Sequence, residues 1–160
     1  MPSQSPARCS VRPATHEDLP AIAVAVCTLL LELGGKPAPQ PALHEAARGL
    51  LEEPRAGALL VADADTGGGV VGFLGASWLS AVRVPGRYGL IQELWVHADW
   101  RSRKIGGELV SALCELALET GIERIEVGLP GDGFARLPST DAFYRANGFD
   151  AIGTRMRRLL

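Results

Sequence analysis

The stretch Glu93-Leu94-Trp95-Val96-His97-Ala98-Asp99-Trp100-Arg101-Ser102-Arg103-Lys104-Ile105-Gly106-Gly107-Glu108-Leu109 decides how this chain folds. Its first residues belong to a run from Tyr88 to His97 in which Leu90, Gln92, Leu94 and Val96 alternate with Ile91, Glu93, Trp95 and His97. That is the period of a strand, and because both sets are mostly apolar the strand is expected to lie centrally in a sheet. Its last residues open a helix whose apolar positions Ile105, Leu109, Leu113, Leu116 and Ala117 share one side and which ends at Gly121. Between the two, Asp99 to Lys104 is a short, arginine-rich connection. The first N–H groups of a helix have no internal partners, so a strand, a positive turn and a helix start make a place for an anion. Gly106 and Gly107 would let a phosphate approach the backbone, and Arg101 and Arg103 add charge. The run lacks the Gly-Lys-Ser/Thr end of a nucleotide P-loop and is not Gly-x-Gly-x-x-Gly. A plainer alternative is that the glycines serve close helix–sheet packing and the arginines form a solvated turn.

Upstream, Cys9 to Pro13 reads as a short strand, and Thr15 with Asp18 nearly matches a capping box ahead of a helix carrying Leu19, Ile22, Val26, Leu29, Leu30 and Leu33 to Gly34-Gly35. Lys36 to Pro41 holds three prolines and reads as a loop, followed by a helix through Leu43, Leu50 and Leu51 stopped at Pro54. Ala58 to Ala64 and Val70 to Val82 are β-branched and apolar around a glycine-rich hairpin turn, and Arg83 to Gly86 is a second turn. Downstream come a strand at Arg124 to Leu129, a Gly/Pro loop at Pro130 to Pro138, a helix from Ser139 to Ala146 closed by Asn147-Gly148, and one or two strands between Phe149 and Leu160. The expected fold is mixed α+β: a mostly antiparallel sheet with helices on both faces.

The chain has 160 residues, 47% hydrophobic and 21% charged, enough to bury one core, so residues 9–160 are read as a single domain behind a flexible N-terminus over 1–8. Sixteen Lys and Arg against eighteen Asp and Glu leave a net charge of -2, which gives no basic field for nucleic acid. The longest apolar run, around Ala21 to Leu31, is too short to span a bilayer, and no secretory signal is present, so a soluble, cytoplasmic protein is expected. Cys9, Cys27 and Cys114 are widely spaced, and His16, His44 and His97 lack ligand-spaced partners; neither a disulfide framework nor a metal site is expected. Cys27 and Cys114 read as helix packing residues.

The central string resembles the pyrophosphate-binding signature of the GNAT superfamily of N-acetyltransferases, Arg or Gln, two residues, Gly, one residue, Gly or Ala. Arg101 and Gly106 match it, while Lys104 stands where the first Gly is usual, leaving its backbone N–H as a donor. Val11 to Leu19 is similar to the opening of these enzymes, and Ala142-Phe143-Tyr144-Arg145-Ala146-Asn147-Gly148-Phe149 to their Phe-Tyr…Gly-Phe motif. The resemblance implies a sheet with a splayed central strand pair and transfer of an acetyl group from acetyl-CoA, as co-substrate, to a primary amine of a small molecule or peptide by direct attack in a ternary complex. Arg101, Ser102, Arg103, Lys104, Ile105, Gly106 and Gly107 would then hold the coenzyme's diphosphate, and the backbone of Leu94, Trp95 and Val96 its pantetheine arm. An Asn that the family often carries ahead of its Phe-Tyr pair is Leu137 here, and Ser139 is the substitute polar contact.

Two side chains carry the chemistry in this reading. Glu93 is the only carboxylate in its strand; partial burial would raise its pKa toward that of a general base, where the family often has an acidic residue drawing a proton through water. Its alternative is a strand carboxylate paired with an arginine, and His97 is a second base by pKa alone. Tyr144 occupies the position of the family's tyrosine that donates a proton to the coenzyme's sulfur, against a plain core role beside Phe143. The acceptor is expected to meet the loop Gly34 to Pro41 and the turns around Trp78, Tyr88 and Phe134. The resemblance also admits a homodimer and transfer of a longer acyl group. A different class of function stays open beside it, a non-catalytic module that senses acetyl-CoA, with Lys104 as the feature that favours it.

Overall fold

The computed structural model describes residues 8–65 and 67–160, so the expected flexible N-terminus falls, except for Arg8, outside the described residues. The elements run β1 (Cys9–Pro13), a 3₁₀ turn (His16–Asp18), α1 (Leu19–Glu32), α2 (Gln40–Glu52), β2 (Gly57–Ala64), β3 (Gly69–Ala81), β4 (Val84–Val96), a second 3₁₀ turn (Ala98–Trp100), α3 (Ile105–Glu119), β5 (Ile125–Val127) and α4 (Leu137–Ala146). The sheet order is β1-β2-β3-β4-β5; the first four strands are antiparallel, and β5 lies parallel to β4 after the α3 crossover. One face buries Leu60, Leu74 and Ile91 under Leu109 and Leu113 of α3 and Tyr144 of α4. The other buries Leu59, Val61, Phe73 and Trp95 under Ile22 and Ala25 of α1, with Leu50 and Leu51 of α2 packed alongside. The expected architecture, helices on both faces of a mostly antiparallel sheet, is the one observed.

Several boundaries differ from the sequence reading, and four of them have a local cause. Pro41 and Pro138, read as loop, sit in the first turns of α2 and α4, where a missing N–H would have had no helical partner anyway. The β3–β4 turn lies at Val82-Arg83 instead of Arg83 to Gly86: Ala81 pairs with Val84 and Ser80 with Arg87, and Gly86 at φ +95° takes up the extra residues. No strand forms after α4; Phe149 packs edge-to-face on Tyr144 and the following residues are exposed. The only edge beside them is β5, three residues long, and Gly153 at φ +143° with Arg155, Arg157 and Arg158 spoils any apolar alternation.

A bulge in β4 rearranges its faces. Gly75 pairs with Glu93 and Ala76 with Ile91, so Gln92 has no partner on β3. One extra residue reverses the alternation. Ile91 therefore joins Leu94 and Val96 in the layer under α3, while Glu93 and Trp95 face α1, and the grouping of Ile91 with Glu93 and Trp95 is corrected.

The entry to α1 is held by a buried charge. Asp18, 6% exposed, accepts from Arg12 Nη1 and Nη2 at 2.7 and 3.0 Å and from the Thr15 backbone N–H at 2.7 Å, and Arg12 also reaches Asp63 of β2 at 2.9 Å. The Arg12 guanidinium holds the Asp18 carboxyl below the usual carboxylate range. Asp18→Ala is expected to cost about 2–4 kcal/mol, since charged hydrogen bonds and a helix cap are lost together. The urea midpoint at pH 7 measures it, and the difference should shrink as pH falls far enough to protonate the wild-type Asp18.

Candidate active site

Hydrogen bonding between β4 and β5 covers Gly89, Leu90 and Ile91 against Ile125, Glu126 and Val127 and stops there. From Gln92 to Val96, β4 has no strand on its β5 side. Beyond β5 the chain continues through Gly128 and Leu129 to Pro130, which has no N–H to offer a ladder. One group on the open edge is taken internally: Arg101 Nε donates to the Val96 carbonyl at 3.0 Å.

The open edge leads into the turn at 101–104. None of the backbone N–H groups of Ser102, Arg103, Lys104, Ile105, Gly106 and Gly107 donates to a protein acceptor among the described residues. Ser102 and Lys104 both adopt the left-handed conformation, at φ +62° and +66°, and Lys104 is the N-cap of α3. Lys104 thus takes the backbone shape that a glycine would take. Ile105, 2% exposed, anchors the turn in the core, and the Arg103 guanidinium lies over the Trp100 ring at 4.9 Å. The glycines have a packing role: a Cβ on Gly106 would stand 3.1 Å from the Phe143 ring, and one on Gly107 3.2 Å from Asn147 Oδ1. Their bare sides face α4, so close helix–helix packing, not helix–sheet packing, accounts for their lack of side chains. Free amides beside Arg103 and Lys104 fit a diphosphate by charge and by donor number.

Arg101 points elsewhere. Besides Val96, it reaches Glu32 at the end of α1 through Nη2, at 2.7 and 2.8 Å, and Glu32 also accepts from Arg136 Nη2 at 3.0 Å. These three residues, with Gly34, Gly133 and Phe134, line an open cleft of about 860 Å³. Gly34 and Phe134 belong to segments expected to meet the acceptor. Trp78 is instead a core residue, and Tyr88 lies under Arg83 at the β3–β4 hairpin, so neither lines the cleft.

Glu93 is half-buried on the α1 face and makes no ion pair or hydrogen bond among the described residues, so the arginine-paired alternative does not occur. Burial alone pushes its pKa up to about 7. Trp95 Nε1, in the layer under α1, is buried with no hydrogen-bond partner among the described residues. His97 stands exposed at the rim; its Nδ1 accepts from the Asp99 N–H at 3.3 Å and caps the turn. Tyr144 lies in the opposite layer, its ring 5.0 Å from Phe143 and 5.4 Å from Phe149, and burial pushes its pKa up to about 12. Its hydroxyl has no protein partner among the described residues. Glu93 and Tyr144 are thus on opposite faces of the sheet, and a molecule touching both would pass through the gap that β4 and β5 leave open. Ser139 is exposed in the first turn of α4, its hydroxyl donating to the Arg136 carbonyl at 2.9 Å.

The sequence matches the acetyltransferase (GNAT) family over residues 24–149. The chain belongs to that family. Solved structures of similar fold include an aminoglycoside N-acetyltransferase in complex with CoA, 16% identical with a TM-score of 0.79, covering 99% of this chain and 98% of that one. An aminoglycoside 6'-N-acetyltransferase from Acinetobacter baumannii is 17% identical with a TM-score of 0.74, covering 94% and 99%. Glucosamine-6-phosphate N-acetyltransferase from Arabidopsis thaliana is 13% identical with a TM-score of 0.74, covering 94% and 97%. No curated protein matches the sequence. No helix among the described residues of this GNAT domain is long and apolar enough to cross a membrane.

Glu32, Arg136, Gly75 and the Trp95 indole are site features that the sequence reading missed. Glu32 is 69 positions from Arg101 and 104 from Arg136, which no local pattern connects. For Gly75 a signal existed, a glycine inside a strand, which marks a close approach. A Cβ there would lie 2.6 Å from Glu93 Oε2. Gly75→Ala should therefore displace the carboxylate and lower kcat/KM by about tenfold or more with the fold kept; unchanged kinetics would mean that the Glu93 carboxylate position is irrelevant. Lys104→Gly should gain about 0.5–1 kcal/mol in denaturant unfolding, the left-handed penalty exceeding glycine's added chain entropy.

Proposed function

We propose that the protein is an N-acetyltransferase that moves an acetyl group from acetyl-CoA to a primary amine of a small molecule or peptide by direct attack in a ternary complex. The observation that carries this reading is the open edge of β4 from Gln92 to Val96 running into the row of unbonded amides at 102–107. The family supports the acetyl group, and aminoglycoside and glucosamine-6-phosphate N-acetyltransferases among the similar structures support nitrogen as the accepting atom.

When bound, acetyl-CoA supplies the acetyl group as a thioester. The amides of Ser102 to Gly107, with Arg103 and Lys104, hold its diphosphate, and Arg101 braces the turn from inside. The open β4 edge takes the amide groups of the pantetheine arm mainly at Leu94: the Trp95 backbone faces Phe73 of β3, and Arg101 already occupies the Val96 carbonyl. Glu93, with a pKa of about 7, takes the proton from the attacking amine near neutral pH. Tyr144, still protonated well above neutral pH, gives one to the departing sulfur. Ser139 is a polar neighbour at the start of α4.

The sensor alternative rested on Lys104. With its backbone left-handed and its N–H free, this residue does not by itself close the loop to a phosphate. Turnover separates the two readings. With a panel of primary amines, thiol release is expected, and kcat/KM should rise with pH to a plateau above about 7 as Glu93 ionises. Glu93→Gln should abolish that limb, and Tyr144→Phe should lower kcat by about 10²-fold. CoA binding with no thiol release from any amine would leave the sensor.

A further inference from the structure

Glu32 is the last residue of α1, where the negative end of the helix disfavours a carboxylate. Two arginines from distant segments nevertheless converge on it, Arg101 at 2.7 and 2.8 Å and Arg136 at 3.0 Å. All three side chains stay partly open to the cleft, 28% exposed for Glu32, 31% for Arg101 and 48% for Arg136. The group sums to one positive charge in the wall of a cavity on a protein of net charge -2.

We propose that Arg136 and Arg101 form a subsite for an anionic oxygen group, a carboxylate or phosphate, carried by the amine acceptor, and that Glu32 is its resident stand-in. This rests on the reading of the protein as an amine acetyltransferase. Two guanidiniums already arranged around one carboxylate present planar forks matched to paired oxygens. Partly exposed ion pairs are weak, and the helix end weakens this one further, so an incoming anion displaces Glu32 at little cost. Phe134 beneath the Arg136 guanidinium, at 5.7 Å, holds that fork and offers an apolar wall. Arg101, tied also to the Val96 carbonyl, joins the subsite to the strand that carries Glu93 three residues earlier. The coenzyme's diphosphate has its own donors in the amides at 102–107, which leaves the cleft anion to the acceptor.

The test compares matched amines with and without the anion: dipeptides against their C-terminal amides, and O-phosphoethanolamine against ethanolamine. Wild type should favour the anionic member at least tenfold in kcat/KM. Arg136→Gln should erase that preference through KM, with Arg136→Lys restoring part of it. Glu32→Gln should do the opposite, lowering KM for anionic amines severalfold relative to their neutral partners. Opposite signs from two partners of one ion pair are not produced by a structural defect, which would raise KM for every amine in both variants. Equal use of both members by wild type overturns the proposal. So does a loss of CoA affinity in Arg136→Gln, by calorimetry, with acceptor KM unmoved, since the anion would then be the coenzyme's. If no amine is acetylated, the transferase reading fails separately. The subsite is then judged by calorimetry of O-phosphoethanolamine and the dipeptides on the CoA-loaded protein, where binding tightened by Glu32→Gln supports it and absence of heat overturns it.

Discussion

The site depends on a strand, β4, that beyond Ile91 has a partner on one edge only. A backbone polar group left unpaired away from water costs about 1–3 kcal/mol, so the β4 edge beyond Ile91 needs solvent, a side chain or a ligand. The chain itself prevents β5 from supplying the bonds. Gly128 and Pro130 follow its three residues, the proline without a donor, and the path then turns through Gly131 and Gly133 toward α4. Arg101 satisfies the Val96 carbonyl and no more of that edge. What remains is an unpaired stretch of β4 that β5 is too short to cover.

Environment gives three carboxylates of this domain three different characters. Asp18 is buried with a bidentate guanidinium and a backbone donor, and its pKa falls. Glu93 is half-buried but has no side-chain partner among the described residues, so desolvation acts alone and its pKa rises to about 7. Glu32, at the cleft, is paired but partly exposed. The first is a structural anchor because its charge is permanent at neutral pH. The second suits proton transfer because its charge is not. For the third, exposure makes the pairing exchangeable, which is why the same residue type can hold a place for something else.

Much of this was legible in the sequence because it rests on local chemistry. The strand-turn-helix from Glu93 to Leu109 and the Thr15–Asp18 cap follow from periodicity and capping. The failures share a non-local origin. The Gln92 bulge depends on how β3 meets β4, and its effect, moving Ile91 to the other face, leaves no mark in the alternation itself. The Phe149 to Leu160 segment carries residues that a strand tolerates but lacks an edge long enough to pair with. The Glu32–Arg101–Arg136 group joins residues from three separate segments, and charge counting along the chain dilutes it to nothing. Prolines misled for the opposite reason: the rule that they break helices is weakest in the first turn, where Pro41 and Pro138 lie.

The turn at 101–104 shows how a row of amides is kept from satisfying itself. Amides that could fold back onto nearby carbonyls would do so unless the backbone forbids it, and here Ser102 and Lys104 in left-handed conformations hold them outward. Each such residue costs about 1–2 kcal/mol, so the shape persists only because both ends are fixed. Arg101 fixes one end through the Val96 carbonyl, and Ile105, buried in the layer under α3, fixes the other. A glycine at 104 would relieve part of the strain, yet it would also remove a cation from beside the free amides. Lysine therefore exchanges local stability for charge, and the anchors on either side make that exchange tolerable.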